Sequence, residues 1–246
     1  MKSISRYDEM SFWPMSISPT ILKALMGISM WLVPGFMLQA QKEDRFIMIQ
    51  NNSFEGIPGC CRVPEGWVND GDLNFTPPDL FPALNEYQGI NFPYEYVFNV
   101  QKMPMHGHTY LAMAVRQQGS YERVKQRINS ALKADSCYGF SIYLSFSDTW
   151  VSPTIENPNQ QSFGKGGILR VWGYNGNHKE LLAISTAIDH LDWYAYQVNF
   201  RPKNPIEWIA LEAYYVGNEP YNGNILLDGM SNVYKMSCTE EVKKPD

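Results

Sequence analysis

The clearest pattern in the chain is a strict two-residue alternation over residues 138–146. Tyr138, Phe140, Ile142, Leu144 and Phe146 share one phase, and Ser141, Tyr143 and Ser145 the other. Side chains of a strand point to opposite faces in turn, so this pattern predicts a half-buried β-strand. Residues 109–116 alternate in the same way, with Leu111, Met113 and Val115 opposed to Tyr110 and Arg116. Further strands are expected at 168–172, at 193–200 with Tyr196, Val198 and Phe200 in phase, and at 208–215 with Ile209, Leu211, Ala213 and Tyr215 in phase. After the turn signal Tyr221-Asn222-Gly223, residues 224–228 read as a closing strand. Ile225 and Leu227 lie on one of its faces, Leu226 and Asp228 on the other. Residues 121–132 are ambiguous, because Val124, Ile128 and Leu132 recur every four residues as on a helix. Short strands at near-regular spacing with turns between them argue for an all-β sandwich.

The connections are uneven. Residues 58–104 are rich in Pro, Gly, Asn and Asp but also carry aromatics, as in Val63-Pro64-Glu65-Gly66-Trp67. Such a stretch is a long irregular connection that packs on the domain, with Trp67 expected in the core. A second polar loop spans 148–167. The first forty residues differ from the rest. Lys23 precedes an apolar run over 24–38, and Gln39-Ala40 leads into the charged Gln41-Lys42-Glu43-Asp44-Arg45. A basic flank, a short apolar run and a small residue describe a secretory signal peptide, with cleavage expected after Ala40. Met15 makes a more usual start than Met1. A buried or anchoring helix is the alternative for the run, which Pro34 and Gly35 make poor as a membrane span. Residues 41–246 are then a single exported β-sandwich domain.

Charge and cysteine narrow the field. The net charge of the 246 residues is -5, which argues against a nucleic-acid partner. Four cysteines, Cys60, Cys61, Cys137 and Cys238, permit disulfides in an exported chain. At least one is expected, involving Cys137. Adjacent Cys60 and Cys61 are poorly placed to bond to each other, and the spacing matches no paired C-x-x-C zinc site.

No G-x-S-x-G, H-E-x-x-H or phosphate-binding loop occurs. His106-Gly107-His108 offers two metal ligands without a third nearby in sequence. Asp148, Glu156, Glu180 and Glu212 are scattered carboxylates, whereas a glycosidase needs two facing each other across a sugar. The outward positions of the strands are more informative. If Leu169 and Val171 are core, Arg170 and Trp172 face away from it. If Ile209 and Leu211 are core, so do Trp208, Glu212 and Tyr214, and Tyr143 lies opposite the Phe140-Ile142-Leu144 phase. Aromatic faces stack on the apolar side of a pyranose and charged groups bond its hydroxyls, so these six residues form a candidate sugar site. The alternative is a covering loop that turns them into a second small core.

Two motifs bracket the domain: Asn51-Asn52-Ser53-Phe54-Glu55 before Gly66-Trp67, and Leu227-Asp228-Gly229-Met230-Ser231 at the close. This pairing resembles the galactose-binding-like jelly roll of many carbohydrate-binding modules, over residues 46–234. Strings such as His108-Thr109-Tyr110-Leu111, Leu169-Arg170-Val171-Trp172-Gly173 and Leu211-Glu212-Ala213-Tyr214-Tyr215 are similar to a module of exported bacterial envelope proteins. Some of those proteins carry OmpA-type domains or serve gliding and surface secretion. The resemblance implies an antiparallel jelly-roll β-sandwich with first and last strands side by side. It favours a strand at 123–128 followed by a polar turn at 129–136. It also implies a structural calcium held by Glu55 and Asp228, the alternative being that these acids accept backbone N–H groups. The expected role is non-catalytic binding of carbohydrate or envelope glycan, in the periplasm, at the outer-membrane surface or secreted. A structural or adhesive part of a cell-surface assembly with protein partners comes second, and a glycoside hydrolase third.

Overall fold

The computed structural model describes residues 46–71, 77–83, 98–154 and 157–238. The expected signal peptide, Glu156 and Asn91-Phe92-Pro93 lie outside these residues. In chain order the strands are β1 (Phe46–Ile47), β2 (Val68–Asn69), β3 (Asp79–Pro82), β4 (Thr109–Val115), β5 (Arg123–Leu132), β6 (Cys137–Ser145) and β7 (Val151–Ser152). They continue as β8 (Gln161–Ser162), β9 (Ile168–Asn175), β10 (His178–Ile184), β11 (Tyr194–Phe200), β12 (Ile206–Tyr214), β13 (Gly223–Asp228) and β14 (Val233–Met236). No helix occurs among the described residues, and the paired strands run antiparallel.

Two sheets form an antiparallel jelly-roll sandwich. In the first, β6 pairs with β11 on one side and with both β13 and β14 on the other. β13 continues the sheet to β4 and β3, and β14 pairs with β1, Phe46 opposite Tyr234. The ends of the domain thus lie side by side, but the strand beside β1 is β14; the expected closing strand at 224–228 is β13, which lies inside the sheet between β4 and β6. The second sheet runs β10-β9-β12-β5-β2, and β7 with β8 makes a small separate ribbon.

The main core lies between the sheets. Leu111, Met113, Phe140, Ile142, Leu144, Ile225 and Leu227 meet Leu169, Val171, Ile209, Leu211 and Val124 there. These are the phases that alternation assigned inward, and Trp67 joins them with its ring against Phe54. The opposite phase of the first sheet is also covered. Tyr110, Ala112, Ala114 and Leu226 pack under Phe81, Val100, Trp150 and Phe163 as a second hydrophobic cluster. Phe98 stacks on Trp150 with centroids 5.6 Å apart. The loop after β6 therefore roofs the outward face of the first sheet. Among the described residues no such cluster roofs the second.

The ambiguous segment is a strand, but the polar turn expected at 129–136 is shorter. β5 continues to Leu132, which is fully buried opposite Ile206, and this burial extends the strand past its polar residues. A register shift between Ile206 and Trp208 absorbs the extra length. Helical spacing of Val124, Ile128 and Leu132 arose because both periods coincide at multiples of four.

Cys137 is disulfide-bonded to Cys238, closing a separation of 101 residues. It ties the start of β6 to the segment just after β14, whose Met236 pairs with Cys137. Cross-linking so large a loop restricts the unfolded chain, so Cys238→Ser is expected to cost about 2–5 kcal/mol. That corresponds to a Tm lower by about 5–15 °C, checked by thermal unfolding of the oxidised protein and the variant. An unchanged Tm counts against a stabilising bond.

Candidate ligand-binding face

The outward face of the second sheet is built by three neighbouring strands whose inward residues are fixed in the core. β9 turns Arg170, Trp172 and Tyr174 outward; β12 turns Trp208, Ala210, Glu212 and Tyr214; β5 turns Arg123, Lys125 and Arg127. Register aligns them in rows. Arg170, Glu212 and Arg123 share one row, Trp172, Ala210 and Lys125 the next, and Tyr174, Trp208 and Arg127 a third.

The first row is a line of alternating charge that Asp70 extends, its N–H donating to the Arg123 carbonyl. Arg123 Nε lies 2.6 Å from Asp70 Oδ2, and its NH1 2.6 Å from Glu212 Oε2. Arg170 reaches Glu212 Oε1 from the other side with NH2 at 2.5 Å and Nε at 2.6 Å. Glu212 has no exposed surface. Lys125 Nζ sits 2.6 Å from Asp70 Oδ1, and the Tyr174 hydroxyl donates to Oδ2 at 2.9 Å. Burial pushes the Asp70 carboxyl up, but Lys125, Arg123 and Tyr174 outweigh it and hold the group below the usual carboxylate range. Burial pushes the Tyr174 phenol up. It lowers Lys179, and the Arg123 charge acts in the same direction.

Above this row, rings and cations interleave. The Arg170 guanidinium lies 3.4 Å from the Tyr214 centroid and 5.1 Å from that of Trp172. Lys179 Nζ lies 3.9 Å from Trp172 and 5.7 Å from Tyr174. Lys125 Nζ is 5.5 Å from both Tyr174 and Trp208. Each contact attracts a cation to a ring face, so the side chains are pre-positioned. Between Trp172 and Lys125 stands Ala210, a small residue at the middle of the face. The indole N–H of half-buried Trp172 is shielded from water and has no hydrogen-bond partner among the described residues. Beside Trp208, a depression of about 430 Å³ is lined by Arg127, Ile128, Asn129, Ala131 and Glu207.

The structure gathers Trp172, Arg170, Tyr214 and Trp208 on this face, as their phase predicted. Two expected members need correction. Glu212 is on the face but fully enclosed by two arginines, so it orients them and does not meet a ligand directly. Tyr143 belongs to β6 in the first sheet, pairs with Asp228 and lies beside Gly229. It is on the other side of the sandwich because alternation gives a face but not a sheet. Sequence reading missed Tyr174, Lys125, Arg123, Lys179 and Asp70. The 170-172-174 phase could have found Tyr174, and the β5 phase Arg123 and Lys125. Nothing in the sequence marks Asp70. Of the scattered acids, Asp148 is exposed on the roofing loop, and Glu180 accepts the N–H groups of Lys203 and Asn204.

Glu55 and Asp228 converge on one turn, residues 105–109. Asp228 Oδ2 accepts the N–H groups of Met105 at 2.7 Å and His106 at 2.8 Å, and Oδ1 that of Gly229 at 2.6 Å. Glu55 accepts the His108 N–H at 3.1 Å on either oxygen, with Ser53 Oγ 3.1 Å from Oε1. Burial, with the Glu55 charge adding to it, pushes Asp228 up to about 6 against these three N–H donors. Donors aimed at both carboxylates fit the N–H-accepting role and fit poorly a calcium ion, which needs those oxygens itself. The Tm is therefore expected to be the same in calcium and in chelator. A higher Tm in calcium, lost in Asp228→Ala, is the result that would restore the ion.

No protein-family model and no curated protein matches the chain. Among solved structures, it is similar to the CBM22-1 xylan-binding domain of Paenibacillus barcinonensis Xyn10C, at 10% identity and a TM-score of 0.43, covering 78% of this chain and 96% of that one. It is similar also to the K2 cleaved adhesin domain of Lys-gingipain, at 11% identity and a TM-score of 0.42, covering 78% and 99%. A third is TmCBM61 in complex with β-1,4-galactotriose, at 9% identity and a TM-score of 0.36, covering 76% and 97%. These likenesses concern strand arrangement alone; the binding face rests on the residues described above.

Proposed function

We propose that this protein is an exported, non-catalytic binding module whose second sheet recognises carbohydrate of the cell envelope. The observation that carries the reading is Trp172. Its ring stands among cations on a sheet face that no hydrophobic cluster of the described residues roofs. A pyranose offers what such a face lacks: apolar C–H groups for the rings of Trp172 and Trp208, and hydroxyl acceptors for Lys125 and Lys179. The apolar run at 24–38 supports export.

The charge balance refines the class of sugar. Arg123, Lys125, Arg170 and Lys179 outnumber Asp70 and Glu212 on the face, although the chain as a whole is acidic. A locally basic face on an acidic protein attracts anionic ligands. Glycans bearing uronate or phosphate are the expected ligands. An array of neutral and acidic polysaccharides tests this, with binding to the acidic set that weakens as salt rises. No binding to any glycan, with recovery of one stoichiometric protein from envelope extract, would favour the adhesive role instead.

A further inference from the structure

A second cluster lies away from this face, at the junction of the irregular connection and β3. Gly59 forms a two-way backbone bridge with Leu80, N to O 2.9 Å and 3.2 Å. The bridge brings Cys60 and Cys61 against Asp79, the first residue of β3. Cys61 adopts a φ of 65°, and its N–H donates to Asp79 Oδ1 at 2.8 Å. The two sulfurs and a carboxylate oxygen of Asp79 all lie within 4.8 Å of one another. Neither cysteine is in a disulfide. Asp79 is buried, Cys60 half-buried and Cys61 exposed, so the cluster is anchored inside and open to solvent at one corner. Asp79 is also close to a second buried acid, Glu122, with Arg116 the cation nearby. Nothing in the glycan-binding reading uses these residues.

We infer that Cys60, Cys61 and Asp79 form a binding site for a thiophilic divalent cation of the zinc type. Two thiolates and one carboxylate supply three ligands of a tetrahedron, and water takes the fourth position on the exposed side. Zinc bonds of about 2.3 Å to sulfur and about 2.1 Å to oxygen place neighbouring ligands about 3.6 Å apart. Ligand atoms within 4.8 Å of one another leave at most about 1 Å to close for each pair by that measure, and the exposed Cys61 side chain has room to move. Thiolates select a soft or borderline ion over calcium or magnesium. Each thiol gives its proton to solvent as its sulfur bonds the metal. The ion would offset the excess of buried carboxylates around Asp79. It would also pin the turn at 59–61 to the edge of the first sheet.

The test uses the full chain kept under argon, with cobalt(II) as a spectroscopic probe and zinc titrated against a chromophoric chelator. One equivalent of cobalt should give a thiolate-to-metal charge-transfer band, and zinc should displace it. Cys61→Ser, at an exposed position, should abolish the band and weaken zinc binding at least tenfold. The His106→Ala, His108→Ala double variant should bind as the parent does, which separates this site from the exposed histidine pair. Absence of the band in the parent, or zinc uptake that survives Cys61→Ser, overturns the assignment. Because none of these readouts involves sugar, the outcome is independent of glycan binding.

Discussion

Trp172→Ala is expected to abolish measurable glycan binding while moving the Tm by no more than a few degrees. The ring stands on the outward phase of β9, while Leu169, Val171 and Gly173 carry that strand's packing in the core. Truncation removes the stacking surface between Arg170 and Lys179. A central aromatic anchor of this kind is worth about 2–4 kcal/mol, a loss of roughly 30- to 1000-fold in affinity. Trp172→Phe keeps a smaller ring, and should fall between parent and alanine variant. Isothermal titration with the best ligand from the array, beside thermal unfolding, reads both quantities. If Trp172→Ala unfolds, the ring is structural and the face is misassigned; if it folds and binds as the parent does, the glycan site lies elsewhere.

Glu212→Ala is expected to be among the most destabilising substitutions on the same face. Its carboxylate is fully buried and is the shared partner of Arg123 and Arg170, whose side chains are only 15% and 17% exposed. Removal leaves two half-buried guanidinium groups one carboxylate short, with Asp70 still holding Arg123 alone. Breaking a buried ion pair from one side costs about 3–5 kcal/mol, because the surviving charge stays desolvated. Binding should fall as well, since Arg170 set by Glu212 in turn borders Trp172. Glu212→Gln preserves the shape and part of the hydrogen bonding, so its cost should be smaller. Urea unfolding measures the difference. A loss under about 1 kcal/mol for Glu212→Ala would mean that the row behaves like an ordinary surface ion pair.

The two predictions depend on different kinds of information. That β4, β6, β9, β12 and β13 are strands, and which of their residues face inward, was legible in the sequence because alternation is local. A residue and its neighbour two along share a face whatever the rest of the chain does. Cys137 in a disulfide and Trp67 in the core were legible for similar reasons, of chemistry and of burial. Residues 121–132 were less so, because Val124, Ile128 and Leu132 satisfy the helical and the strand period alike, and only pairing with β12 resolves them.

What the sequence left open was which outward face a cluster of the described residues roofs. Tyr110, Tyr143 and Trp172 all occupy the same outward phase, and alternation treats them alike. The packing of Trp150 and Phe163 over Tyr110 and Leu226 closes the first sheet, a contact between segments far apart in sequence. Likewise Asp70 meets Arg123 and Tyr174, Glu212 joins two strands, and Asp79 meets the cysteine pair only through strand order and one backbone bridge. Local periodicity sets the direction in which a side chain points. Sheet order and loop packing decide what it meets there, so the strongly alternating strands came from the sequence, while β10, β14 and the sites came from the tertiary structure.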